Sequence, residues 1–223
     1  MSSNKTVVIT GANRGIGLSI AQHFHNDGYN IIGICRNSSD ELDQIATRVV
    51  DGIDVSTAEG CEKLGQELSG TSIDILVNNA GILSEDVFGN LDFDTMEKQF
   101  RVNSLGVLRV TEALRNRLSD GSKIAIITSR MGSIADNTSG GRYGYRMSKA
   151  AVNAAGMSLC HDLKPLGIAV GLFHPGYVMT GMTSGRGEIT PDVSAGRLKG
   201  LIEKLDIENS GSFWHSNGEI LPW

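Results

Sequence analysis

Tyr145 and Lys149 stand four residues apart in Tyr-Arg-Met-Ser-Lys. On a helix that spacing puts both side chains on one face. A free phenol, with a pKa near 10, is a poor proton carrier at neutral pH. A lysine ammonium beside it favours the phenolate. At ~4 Å and an effective dielectric of ~20 the attraction is roughly 4 kcal/mol. Solvent reduces this to an expected downward shift of about one to three units. Tyr143 has no such partner, because residue 147 is methionine. Ser129 closes the apolar run Lys123–Thr128, ahead of the Tyr-Lys pair. A serine at a strand end together with such a tyrosine and lysine points to acid–base chemistry.

A second constellation opens the chain. Thr10-Gly-Ala-Asn-Arg-Gly-Ile-Gly17 follows the apolar run Thr6–Thr10 and precedes a helical pattern. Its members Gly11, Asn13, Arg14, Gly15, Ile16 and Gly17 make a turn that lets backbone approach a pyrophosphate at a helix N-terminus. The spacing is GxxxGxG, not the commoner GxGxxG. The next strand ends in Cys35-Arg36-Asn37, where an acid would clamp an unphosphorylated ribose. Arg36 there, with Arg14 in the turn, suits the 2′-phosphate of NADP instead; the alternative is two solvated arginines. Asp54-Val55 ends a third strand, as an adenine contact, a helix-capping turn, or both. Asn78-Asn79-Ala80-Gly81 ends a fourth; its small residues leave room for a ribose and nicotinamide, and Asn78 serves equally as a structural tie.

These residues need elements to hold them. Short, β-branched runs at Thr6–Thr10, Asn30–Cys35, Arg48–Ile53, Ile73–Asn78, Lys123–Thr128, Ile168–His174 and Ser212–His215 read as strands. All but the last are nearly continuously apolar, as strands covered on both faces are. Helical patterns alternate with them at Gly15–Asp27, Thr57–Leu68, Asp92–Leu118, Tyr145–Leu163 and Pro191–Leu205. The alternation predicts an α/β fold over 1–223: one doubly wound parallel sheet, Rossmann-like, with helices on both faces. Ligands then sit beyond the carboxyl ends of the strands, where the motifs fall.

Composition agrees. The chain has 223 residues, 40% hydrophobic and 20% charged, with 28 Gly and 4 Pro. That excludes a disordered or collagen-like chain. A net charge of −5 argues against a nucleic-acid partner. Cys35, Cys61 and Cys160 lie far apart, which suggests neither a zinc site nor a disulfide framework. Met1–Lys5 runs directly into Val7–Ile9 without a leader-like apolar region, and no run is long enough to span a membrane. A cytoplasmic location is expected.

Together these motifs resemble the short-chain dehydrogenase/reductase family along the whole chain. The resemblance rests on Thr10–Gly17, Asp54, Asn78–Gly81, Asn103, Ser129, Tyr145/Lys149 and Pro175-Gly176. Within it, Thr128–Ile134, Gly141–Lys149, His174–Thr180 and Gly218–Trp223 resemble the small carbonyl-reductase-like group that includes sniffer and C-factor. The resemblance implies that Tyr145 exchanges a proton with the substrate oxygen and Ser129 hydrogen-bonds it. Lys149 would tune the tyrosine and hold the nicotinamide ribose. Asn103 would hold a water linking Lys149 to solvent, and Pro175, Gly176, Val178 and Thr180 would cover the carboxamide. It also implies pairing into a homodimer or homotetramer through Asp92–Leu118 and Tyr145–Leu163.

Where the family caps its substrate, Gly181–Glu188 is short, glycine-rich and poor in apolar residues, so an open pocket is expected. Arg130, Arg142 and Arg146 are either surface residues or attractants for a polar or anionic substrate. His174 reads as a packing residue, His23 and His25 do not share a helix face, and Trp214 and Trp223 read as core or interface anchors. The expected function is hydride exchange between NADP(H) and a small carbonyl or alcohol, without metal. A non-enzymatic NADP-binding signalling protein on the same fold is the alternative.

Overall fold

A computed structural model describes residues 5–223. Residues 1–4, over which no leader was expected, lie outside the described residues. In chain order the elements are β1 (Thr6–Thr10), α1 (Gly15–Asn26), β2 (Asn30–Ile34), α2 (Asp40–Ile45), β3 (Arg48–Val50), α3 (Ala58–Glu67) and β4 (Ile75–Asn78). There follow α4 (Phe93–Phe100), α5 (Gly106–Leu114), β5 (Lys123–Ile127), α6 (Tyr143–Leu163), β6 (Ala169–His174), α7 (Pro191–Lys204) and β7 (Phe213–His215). The strands form one sheet in the order β3-β2-β1-β4-β5-β6-β7, and every pair is parallel.

Alternation along the strands builds two cores. Val8 faces a cluster with Leu64, Val107, Val110 and Val152 from α3, α5 and α6. Val7 and Ile9 face Ile20, Phe24, Leu42, Leu198 and Ile202 from α1, α2 and α7. Burying both faces explains why the strands read as continuous apolar runs. The chain reverses between β1 and β4, which opens a crevice at their carboxyl ends.

Three departures from expectation exceed a shift of one or two residues at an element's end. Strand β3 stops at Val50, because Gly52 turns with φ +65° and the Ile53 amide bonds back to the Cys35 carbonyl at 3.0 Å. Helix α2 was not expected: it has six residues, too few to show a period, and is capped by the Ser39 hydroxyl on Leu42 N–H. The helix expected over Asp92–Leu118 is broken by a π turn at Arg101–Leu105 and ends in a 3₁₀ turn at Arg115–Arg117. The wide turn carries Asn103, whose side chain pairs with both backbone groups of Ile82: it accepts from N–H and donates to C=O, each at 2.8 Å. No helix of the described residues is long and apolar enough to cross a membrane.

Candidate active site

The β1–α1 turn sits at the crevice and is tied to its neighbours. Gly11 N–H donates to the Ile34 carbonyl at 2.8 Å. Asn79 donates its side-chain amide to the Thr10 and Gly11 carbonyls at 3.0 and 3.2 Å. The Thr10 hydroxyl accepts from Asn79 and Ala80 N–H, both at 3.0 Å. Gly17 packs so closely that an added Cβ would stand 2.3 Å from the Gly11 carbonyl oxygen. Arg14 is the N-cap of α1 but supplies no side-chain cap, and the first turn holds no acid. Open amides at the positive end of a twelve-residue helix, with a basic N-cap, fit the pyrophosphate of a dinucleotide. Asn13 and Ile16 are half-buried in this turn.

Arg36 and Asn37 are exposed at the end of β2. The acids nearest them in sequence, Asp40 and Glu41, occupy the first turn of α2, where they complement its positive end. The Asp54 carboxylate accepts from Ser56 N–H at 2.8 Å, so it makes a local turn. Burial pushes that carboxyl up, but its bonds to Ser56 and the charge of Arg36 outweigh burial and hold it below the ordinary range. Val55 is buried against Gly106. Asn78 donates to the Thr111 hydroxyl at 3.3 Å, which is the structural tie.

The catalytic candidates converge beyond β5. Ser129 is buried and caps a 3₁₀ turn, Arg130–Gly132, by accepting from Met131 N–H at 3.1 Å. That turn lies on α6: a Cβ on Gly132 would stand 2.7 Å from the Lys149 carbonyl carbon. Nothing in the sequence singled out Gly132, because close approach between distant segments leaves no local signature. Tyr145 and Lys149 are both buried in the first two turns of α6. Lys149 Nζ donates to the Ile127 carbonyl at 2.9 Å and lies 5.8 Å from the centre of the Tyr145 ring. A Cβ on Gly81 would stand 3.8 Å from that nitrogen, so the glycine end of β4 borders it.

The direction of tyrosine tuning is corrected. Burial raises the Tyr145 phenol to about 12, and the neighbouring Ser129 hydroxyl only partly opposes this. Burial also lowers the Lys149 ammonium to about 8. Desolvation disfavours the charged form of each group. At neutral pH the phenol therefore keeps its proton.

Other assignments sort by their partners. The Asn103 amide is committed to Ile82 and, at 3.0 Å, to the Ser148 hydroxyl. Pro175 follows β6, and its carbonyl accepts from the Ser194 and Ser216 hydroxyls at 2.7 and 3.0 Å. Val178 is buried and bridges Ile189. Gly176 turns with φ +94°. The Thr180 methyl stands 3.7 Å from where a Cβ on Gly15 would be, which brings the segment after β6 onto the glycine turn. The lid beyond it is a short 3₁₀ turn, Gly181–Thr183, but Tyr177, Met179 and Met182 present exposed apolar surface around it. Arg130 pairs with Asp136, Arg142 with Glu85 at 2.9 Å, and Arg146 bonds the Ser139 hydroxyl at 2.9 Å. His174 packs edge-on against His215.

A parallel 3-2-1-4-5-6-7 sheet with a glycine turn after β1 and a Ser-Tyr-Lys set after β5 defines a dinucleotide-fold oxidoreductase. Residues 5–189 match the short chain dehydrogenase family, and the chain belongs to it. It is 42% identical over 98% of its length, and 99% of the relative's, to 1-hydroxy-2-glutathionyl-2-methyl-3-butene dehydrogenase of Rhodococcus sp. (strain AD45). Over 68% of this chain and 93% of the relative it is 43% identical to the C-signal of Myxococcus xanthus. Among solved structures, an NADPH-bound carbonyl reductase from chicken fatty liver superposes with a TM-score of 0.86, at 26% identity over 99% of each chain.

Proposed function

We propose that this chain is an NADP(H)-dependent reductase of small carbonyls, or the matching alcohol dehydrogenase, with Tyr145 as general acid or base. One observation carries this: a buried tyrosine with a buried lysine nitrogen 5.8 Å from its ring centre, next to the buried Ser129, at the carboxyl end of a parallel sheet. The NADPH-bound neighbour and the basic pair Arg14 and Arg36 support the choice of cofactor. When bound, the nicotinamide supplies or accepts the hydride.

The chain's own residues do the rest. Gly11, Asn13, Arg14, Gly15, Ile16 and Gly17 hold the pyrophosphate. Arg36 and Asn37 hold the 2′-phosphate, and Asp54 and Val55 flank the adenine. Asn79, Ala80 and Gly81 pack on the ribose side. Pro175, Gly176, Val178 and Thr180 cover the nicotinamide. Ser129 hydrogen-bonds the substrate oxygen and Tyr145 gives it a proton in reduction or takes one in oxidation. Lys149 orients the ribose, and Asn103 holds the loop at Ile82 that leads away from Gly81.

NADPH absorbance against a carbonyl panel, with 4-nitrobenzaldehyde among the aldehydes, tests the proposal beside Tyr145→Phe. The reverse reaction is tested on alcohols that include a glutathione conjugate, since the Rhodococcus relative's name specifies one. Cofactor binding without any turnover would favour the non-enzymatic alternative. Location in the cytoplasm and assembly through α4, α5 and α6 into a homodimer or homotetramer belong to the same proposal. A groove of about 560 Å³ is lined by Leu108 of α5, by Leu159 and Leu163 of α6 and by Leu166 just beyond it. Light scattering measures the assembly.

A further inference from the structure

Among the described residues Asp86 is the only buried carboxylate. Buried carboxylates need donors, and its donors open the catalytic helix. One oxygen accepts from Tyr143 N–H and the other from Gly144 N–H at 3.0 Å. The Asp86 backbone carbonyl accepts from Arg142 N–H at 3.1 Å. Three successive amides at the start of α6 therefore end on one residue, 56 to 58 positions earlier in the chain.

The helix offers no substitute. Its N-cap, Arg142, has φ 49° and makes no side-chain cap. An N-terminus left without acceptors frays from its first turn. Tyr145 is the third residue of that turn, directly after the two amides Asp86 holds. Lys149 lies one turn deeper and has its own anchor on Ile127.

Asp86 is itself fixed by the segment that leaves Gly81. Ile82 is clamped by Asn103, and Ser84 N–H donates to the Gln99 side-chain oxygen at 3.0 Å. Gln99 also backs the helix start: a Cβ on Gly144 would stand 2.7 Å from its amide nitrogen and 3.0 Å from Met96 Cα. The first turn of α6 is thus pressed on α4 from one side and held by Asp86 from another.

We infer that Asp86 is a positioning residue for Tyr145: its carboxylate fixes the first turn of α6 so that the phenol keeps its place beside Lys149. This rests on Tyr145 being the acid. Two amides take both oxygens. Asparagine can accept from only one and turns an NH₂ toward the other.

The test uses the full chain with NADPH and 4-nitrobenzaldehyde. Asp86→Asn should lower kcat about 10- to 100-fold, the scale of a misplaced catalytic group. NADPH Kd, measured by fluorescence titration, should stay within about twofold, since Lys149 and the glycine turn are untouched. A purely structural role would reduce kcat only in proportion to lost cofactor-binding sites. Hydrogen exchange on the wild-type protein needs no variant: Tyr143 and Gly144 amides should exchange slowly. Fast exchange at both, or wild-type kcat in Asp86→Asn, would overturn the inference. If Tyr145→Phe is fully active, the acid assignment fails first; if Tyr145→Phe is inactive and Asp86→Asn is not, only the role of Asp86 fails.

Discussion

Lys149 spends its hydrogen bond on the Ile127 carbonyl, 2.9 Å away, and leaves its ammonium 5.8 Å from the centre of the Tyr145 ring. The two groups are neighbours without being directly paired in a hydrogen bond. Burial acts on each in the direction that disfavours charge, so the phenol is held near 12 and the ammonium near 8. The chain alone thus presents a protonated acid next to Ser129, which suits delivery of a proton to a carbonyl oxygen.

Tyr145→Phe should lower turnover at least ~100-fold, the low end for losing a general acid, and leave NADPH affinity nearly unchanged. In the reductive direction wild-type kcat should stay level from pH 6 to 8, because the acid remains protonated there. Oxidation should climb with pH as the proton is lost. Steady-state kinetics in both directions read this; near-normal turnover in the phenylalanine variant removes the acid.

Lys149→Met should abolish turnover and yet stabilise the protein without cofactor at pH 7. Lowering the lysine from 10.5 to about 8 corresponds to roughly 3 kcal/mol at most, and the orphaned Ile127 carbonyl offsets about 1 kcal/mol of it. The remainder is a rise in Tm of several degrees. Below pH 8 the lysine is charged in folded and unfolded chains alike, so the penalty is fully present. Between about 8 and 10.5 only the unfolded chain holds the proton, so wild-type stability rises with pH and the gap closes. Thermal melts of both proteins across pH 7 to 10 measure it; a gap that widens with pH contradicts the sign.

Arg36→Asp should erase or reverse a preference for NADPH over NADH that we expect at about 10- to 1000-fold in wild type. Charge-assisted hydrogen bonds contribute roughly 1.5–3 kcal/mol each, and 1.4 kcal/mol is tenfold in affinity. The side chain is exposed, which favours the lower end and makes the preference shrink as salt rises. Isothermal titration of both cofactors decides; equal wild-type affinities would reject Arg36 as the selector.

Gly17→Ala should prevent dinucleotide binding while leaving the sheet intact. A Cβ there would lie 2.3 Å from the Gly11 oxygen and 2.5 Å from the Asn79 amide nitrogen, so the turn must open. Overpacking of this kind destabilises by about 1–3 kcal/mol. Circular dichroism should show the native fold, and titration should show NADPH affinity at least ~100-fold weaker. Wild-type affinity would mean the turn is more pliable than its packing shows.

The sheet and its parallel sense were legible because apolar continuity, strand length and glycine turns are local properties of the chain. So was the meeting of Ser129, Tyr145 and Lys149 beyond β5, since their spacing and place after a strand survive in one dimension. Burial is not local. The sequence suggested that Lys149 would pull the Tyr145 phenol down, but burial reverses the sign, since desolvation depends on everything packed around a group. The same reason hid Asp86, Gln99 and the closeness of Gly132 to Lys149. Asp86 lies in an unpatterned loop 57 residues from Tyr143, and only folding makes its carboxylate the cap of the catalytic helix.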